Sequence, residues 1–348
     1  MKMSKTYVKV LALLGILMLV IFTSFYYLNH RDRRSSPDTK ELVILSPNSQ
    51  TLLTGTIPAF EEKYGIKVRL IQGGTGQLMK QLEKKGSGLK ADLFFGGNYS
   101  QFESHKDLFD SYLPKAANHL IADTLYPSDI ASPYTINGSV FIVNNALAKD
   151  IPIRSYEDLL NPALKGKIAF GDPNSSSSAF SQLTNILLAK GGYKNPKAWN
   201  YVQDLIHNIN GISSASSSDV YQSVADGKMV VGLSYEDPCL NLQKSGANIS
   251  IVYPKEGTVF LPSSMAIVKG SKSIEKAKAF IDFVLSLEVQ NSFAQSTTNR
   301  PIRKDAKTSS DIKPLEAIPT LKEDYAYVSK HKNSILDKYN SLRQAFDP

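Results

Sequence analysis

From Glu41 onward the chain alternates between short apolar runs and amphipathic stretches. Glu41-Leu-Val-Ile-Leu-Ser46 is a run without polar interruption, which suits a strand covered on both faces. A helical stretch from Thr51 to Tyr64 follows, then a strand from Lys67 to Gln72, a glycine turn, and a helix from Gln77 to Lys85. Ala91-Asp-Leu-Phe-Phe95 is a third strand and runs into Gly96-Gly97-Asn98. Strands alternating with helices predict βαβ units, an α/β fold with a parallel, doubly wound sheet. Ligands of such sheets bind beyond the carboxyl ends of the strands, where Ser46, Asn48, the glycine turn and Asn98 all fall.

A second α/β unit begins near Gly138-Ser-Val-Phe-Ile-Val143, after a polar crossing that includes Pro133, Tyr134 and Asn137. Lys167 to Phe170 reads as a strand, and Ala179, Leu183, Ile186 and Leu187 recur at helical spacing. Trp199 to Asn208 predicts another helix and Met229 to Leu233 another strand. Ser264 to Val268 returns the chain to the first unit, where Ile274, Ala277, Phe280, Ile281 and Val284 mark a helix before a helical tail. The expected division is 1–40, 41–137 (first lobe), 138–257 (second lobe) and 258–348 (return to the first lobe, with C-terminal helices).

Val10 to Asn29 is an uncharged stretch long enough to cross a bilayer as a helix. No small-x-small cleavage site follows it and no cysteine is near it to carry a lipid, so an uncleaved anchor is expected, with Arg31 to Lys40 as a tether. Lys2, Lys5 and Lys9 favour a cytoplasmic N-terminus, which puts the globular part on the extracytoplasmic side.

Composition adds two exclusions. Most of the net charge of +8 lies in the first 40 residues, so the remainder is too mildly basic to imply a nucleic-acid partner. The single cysteine, Cys239, excludes an internal disulfide. With 42% hydrophobic and 21% charged residues the chain is otherwise globular in character.

Three segments carry candidate chemistry. In Gly73-Gly-Thr-Gly76 the absence of a third dinucleotide-type glycine, and of a following Gly-Lys-Ser/Thr, excludes both common nucleotide fingerprints. Gly74, the Thr75 hydroxyl and the N–H groups of Gly76 and Gln77 are left to bind an anionic oxygen at a helix start. Ser175, Ser176, Ser177 and Ser178 also precede a helix, and four exceed what one N-cap needs. Hydroxyls and backbone N–H groups together can hold an anion in a site that must also release it. Tyr235, Glu236 and Asp237 add acceptors suited to ligand hydroxyls, with a hard cation or the end of a strand as the other readings of these acids. No Gly-x-Ser-x-Gly elbow or His-x-x-x-His pair occurs, so neither an enzyme nor a cofactor is indicated.

Taken in order, Gly73–Gly76, Ala91–Gly97, Gly171–Ser178, Asp226–Pro238, Val252–Thr258 and Thr298–Pro301 resemble the extracellular solute-binding proteins of ABC importers. The similar branch is the one that includes ferric-ion, 2-aminoethylphosphonate, phosphoglycerate and hexose-phosphate binders. The resemblance implies a two-lobed type II periplasmic-binding-protein fold, each lobe a mostly parallel sheet flanked by helices, with ligand in the cleft and two strand crossings as a hinge. It implies an ABC permease and ATPase as partners, or a sensor histidine kinase where the receptor reports rather than delivers. Ferric binders of the branch carry adjacent tyrosines where this chain has Ser234-Tyr235-Glu236, so a small phosphorylated anion is the expected ligand. Iron held by Tyr235 and Glu236 is the alternative.

Overall fold

The first strands show how sequence period becomes architecture. In the computed structural model, which describes residues 41–84, 90–121, 129–210, 214, 216–308 and 310–346, the strand β1 (Glu41–Ser46) sends Leu42 and Ile44 to one face and Val43 and Leu45 to the other. All four are buried, because helices cover both faces of the sheet. The apolar segment Val10 to Asn29 lies outside the described residues, and no described helix is long and apolar enough to cross a membrane.

The chain continues through α1 (Gln50–Tyr64), β2 (Lys67–Gln72), α2 (Thr75–Glu83), β3 (Leu93–Asn98), α3 (Tyr99–Ser104), β4 (Phe109–Asp110) and the long β5 (Ser132–Asn144). It then runs through β6 (Ile168–Ala169), α4 (Ser177–Ala189), α5 (Pro196–Ile209), α6 (Ser217–Ala225), β7 (Val231–Tyr235), α7 (Glu236–Lys244) and β8 (Ile249–Val252). The return is made by β9 (Thr258–Val268), α8 (Ile274–Val284), α9 (Leu287–Ser296), β10 (Arg300–Pro301), β11 (Thr320–Leu321) and α10 (Tyr325–Gln344).

The main sheet has the strand order β2-β1-β3-β9-β5-β7-β6. β5 and β9 are the crossing strands. β5 pairs with β9 from Ser132 to Gly138, then with β7 from Ser139 to Val143, so one strand serves two lobes. What the sequence reads as a polar crossing followed by a strand is therefore one continuous strand.

The apolar residues divide accordingly. Leu42, Phe95, Met265 and Phe280 belong to a core of the first lobe, while Phe141, Leu183, Val202 and Leu233 belong to a core of the second. The last helix, α10, buries Val328, Ile335 and Tyr339 in the second-lobe core, although the strands before it have returned to the first.

The expectation of a mostly parallel sheet in each lobe requires correction. β1 is parallel to β2 and β3, and β6 to β7, but β9 is antiparallel to β3 and β5, and β5 is antiparallel to β7 and β8. The sheets are mixed because the chain leaves the first lobe along β5 and comes back along β9, which forces opposite directions on neighbouring strands.

Candidate functional site

Between the lobes lies a cavity of about 360 Å³. The first lobe reaches it through the carboxyl ends of its parallel strands: Ser46 closes β1, Gly97 and Asn98 close β3, and Gly73, Gly74, Thr75 and Gln77 link β2 to α2. The second lobe supplies Ser176, Ser177, Ser178 and Ser181 from the start of α4, Ser216–Ser218 from the start of α6, and Tyr235 and Asp237 from the β7–α7 junction. Asn137, Gly138 and Ser139 of β5 and Leu261, Pro262 and Ser263 of β9 form the wall at the crossing.

Helix beginnings converge here. Gly74 is the N-cap of α2 and has no side-chain capping bond, so the first-turn N–H groups of α2 are not satisfied by a cap. At α4 the Ser176 hydroxyl caps by accepting from the Ala179 N–H at 3.3 Å, which leaves Ser177 and Ser178 in the helix's first turn. At α6 the Ser216 hydroxyl accepts from the Asp219 N–H in the same way. Each such turn presents backbone N–H groups and the positive end of a helix dipole.

The lobes already touch around the cavity. Thr75 Oγ1 donates to Ser177 Oγ at 3.0 Å, Asn98 Nδ2 donates to Ser181 Oγ at 3.0 Å, and the Gly76 N–H donates to the Ser175 carbonyl at 2.9 Å. Elsewhere the lining is fixed within one lobe or at the crossing. Ser46 Oγ donates to the Phe95 carbonyl at 2.6 Å, Tyr134 OH to Asn48 Oδ1 at 2.7 Å, and Asn137 Nδ2 to Ser263 Oγ at 3.1 Å.

Among the described residues that line the cavity there is no lysine, arginine or histidine, and Asp237 carries the only carboxylate. That group is 2% exposed and accepts from Ser49 Oγ at 2.8 Å, Thr298 Oγ1 at 2.8 Å and Asn299 Nδ2 at 2.9 Å. Burial raises the Asp237 pKa, against the lowering effect of Thr298 and Ser49. Burial likewise holds the Tyr235 phenol well above its usual range, which keeps it a neutral donor.

Of the residues singled out in the sequence, Ser46, Asn48, Gly74, Thr75, Gln77, Asn98, Asn137, Ser176, Ser177, Ser178, Tyr235 and Asp237 meet in the cavity lining. Three do not. Gly76 and Ser175 sit behind the lining and spend a backbone N–H and a carbonyl on each other. Glu236 is turned away and accepts from Arg300 Nε at 2.6 Å and Arg300 Nη2 at 2.7 Å, with a further bond from Tyr253 OH. Both its oxygens are engaged, so the expected contact of Glu236 with ligand hydroxyls, or with iron beside Tyr235, is not what the structure shows. The strand-end reading of Asp237-Pro238 also changes, because β7 ends at Tyr235 and Pro238 stands in the first turn of α7, where its missing N–H costs nothing.

Sequence reasoning missed Ser49, Tyr134, Ser139, Ser181, Ser216–Ser218, Ser263 and Asn299 as lining residues. One signal was available for Ser216–Ser218: they close a serine run, the same composition that marks Ser175–Ser178.

A profile of the bacterial extracellular solute-binding proteins matches residues 56–320. The chain belongs to this family. Members of the kind it resembles serve ABC importers. Among its relatives is a putative 2-aminoethylphosphonate-binding periplasmic protein of Salmonella paratyphi A, 26% identical over 260 residues, 73% of this chain and 74% of the relative. A solved structure described as a two-component system protein that mediates signal transduction is 28% identical, with a TM-score of 0.71 over 82% of this chain and 95% of the other. The periplasmic binding protein AfuA from Actinobacillus pleuropneumoniae, solved with fructose-6-phosphate bound, is 23% identical with a TM-score of 0.79, covering 87% of this solute-binding protein and 98% of AfuA. That last likeness establishes the fold.

Proposed function

We propose that this solute-binding protein captures a small phosphorylated organic anion, a hexose phosphate or a phosphonate, for delivery to an ABC importer. The observation that carries the reading is a cavity walled by hydroxyls, amides and helix first turns, with no cationic side chain among the described residues that line it. Uncharged donors can satisfy the oxygens of a phosphoryl group while allowing release, and the amides and carboxylate toward Asp237 suit the hydroxyl or amine end. The volume of about 360 Å³ is of the size that small-molecule sites have. The relative named for 2-aminoethylphosphonate supports the same class.

Capture is by cleft closure. A ligand that touches both lobes binds the closed arrangement better than the open one and shifts the balance by that difference. Gln77 of the first lobe and Ser177, Ser178, Ser217 and Ser218 of the second act as anion donors, Thr75 orients the Ser177 hydroxyl by donating to it, and no bond in the ligand is made or broken. The apolar segment Val10 to Asn29 holds the receptor at the extracytoplasmic face of the membrane.

A melting screen against glucose 6-phosphate, fructose 6-phosphate, phosphoglycerate, 2-aminoethylphosphonate, inorganic phosphate and ferric citrate tests the ligand class. A higher midpoint with an organic phosphate or phosphonate is expected, because such a ligand binds the native state alone. A rise with ferric citrate only would replace the reading with iron capture. Reporting ligand to a sensor kinase is a second role, favoured by the 28% identity to the two-component system protein. Co-purification of the membrane-bound receptor with a kinase rather than a permease would identify it.

A further inference from the structure

Glu236 and Arg300 come from opposite lobes. Glu236 opens α7, whose Cys239 lies in a second-lobe core, whereas Arg300 is in β10, two residues before Ile302 of a first-lobe core. Both side chains are almost fully buried, at 1% and 7% exposure, and the guanidinium grips both carboxylate oxygens at 2.6 and 2.7 Å. A bidentate fork of this kind fixes distance and angle together, unlike a point-charge contact.

The pair stands where the lobes are joined. Arg300 pairs with Ile136 of β5, Phe260 of β9 pairs with Gly138, and Ser139 pairs with Tyr235, so the fork sits beside the residues at which β5 changes partner. The Arg300 guanidinium also lies 5.1 Å from the centre of the Phe260 ring, and its Nη2 donates to the Lys313 carbonyl at 2.6 Å. Next in sequence, Asp237 accepts from Ser49, Thr298 and Asn299, all residues of the first lobe. Two adjacent acids of the second lobe are thus held entirely by donors of the first, or, for Glu236, by one first-lobe arginine and Tyr253 of its own lobe.

We propose that Glu236 and Arg300 form a hinge pin, a pair of positioning residues that sets the balance between open and closed arrangements before any ligand binds. Rotation about β5 and β9 moves Glu236 relative to Arg300 and breaks the two-point match. The fork therefore favours the closed arrangement by its geometry. A buried ion pair is a weak source of net stability, but removing one partner leaves the other charge buried and alone, so the interlobe distance has to be read separately from the melting midpoint. The inference is independent of which ligand the cavity takes.

The test is an interlobe distance measured without ligand on the full-length protein. Spin labels on cysteines replacing the exposed Lys80 of α2 and Lys197 of α5 report from opposite lobes. The native Cys239 is buried with its thiol pushed up to about 12, so it does not compete for label. In Glu236→Gln the longer-distance population is expected to grow roughly tenfold relative to the shorter one, the equivalent of one charge-assisted hydrogen bond. An unchanged distance distribution with a lowered melting midpoint would overturn the proposal and leave the pair a purely structural one. If Glu236→Gln does not fold, Arg300→Lys, which keeps the charge and loses the fork, is held to the same criterion. Failure of both to fold would make the pair a folding requirement and overturn the proposal equally.

Discussion

Gly76 shows how one missing methyl group can decide whether two lobes meet. A Cβ there would lie 2.5 Å from the Asn174 carbonyl oxygen and 3.0 Å from Ser175 Cα, both backbone atoms of the opposite lobe. Neither can swing aside as a flexible side chain could. Gly76→Ala is therefore expected to fold normally, with a melting midpoint near that of the wild type, while ligand affinity falls at least about tenfold because the closed state is wedged apart. Thermal melting and a binding titration on the same sample check both halves. Ser178 tests the anion contact itself: Ser178→Ala is expected to weaken binding by about 0.5–1.5 kcal/mol, the usual worth of one neutral hydrogen bond, whereas Ser178→Asp should abolish it by setting like charges together. Equal affinity in the two variants would place the anion elsewhere. The place of Asp237 in the cavity lining was legible from sequence but the fate of its neighbour was not, since the claim of Arg300 on Glu236 comes from 64 positions away and leaves no local trace.

At the scale of elements, β1 and β3 were readable because their apolar runs are covered on both faces, as the alternation of Leu42 and Ile44 against Val43 and Leu45 shows for β1. The helix starts were readable within three residues: α2 begins at Thr75 rather than Gln77 and α5 at Pro196 rather than Trp199. The length of β5 was hidden, because Tyr134, Thr135 and Asn137 are polar by composition yet lie at the buried crossing between the lobes. The docking of α10 on the second lobe was equally hidden, since a helical tail carries no mark of which core it joins. Just before that helix Glu323 is buried at 7% exposure, and burial raises its pKa to about 7. The unfolded chain releases this proton first, near the ordinary glutamate range, so stability is greatest below that range and falls as pH rises toward 7. Glu323→Gln is expected to remove that fall, melting higher than the wild type at pH ~8 by the equivalent of about 3 kcal/mol and showing little advantage at pH ~4. Parallel melting curves of the two proteins across this range, with no convergence at low pH, would rule the carboxyl out as the cause.

For the molecule as a whole, two lobes with separate cores are joined by β5 and β9 around a cavity whose described lining residues include no cationic side chain. Binding that rests on enclosed hydroxyls and amides is screened little by salt, unlike binding to surface lysines. The family and its two-lobed plan followed from the order of several weak segments read together, while the ligand class depends on contacts between lobes that no single segment encodes. The decisive measurement is a titration of the full-length protein with glucose 6-phosphate, fructose 6-phosphate and 2-aminoethylphosphonate at low and high ionic strength. Saturable binding of at least one of them is expected, with no binding of the matching unphosphorylated sugar and a dissociation constant changed less than about threefold by salt. Saturation by none of the three, or an affinity that collapses as salt is raised, would contradict it.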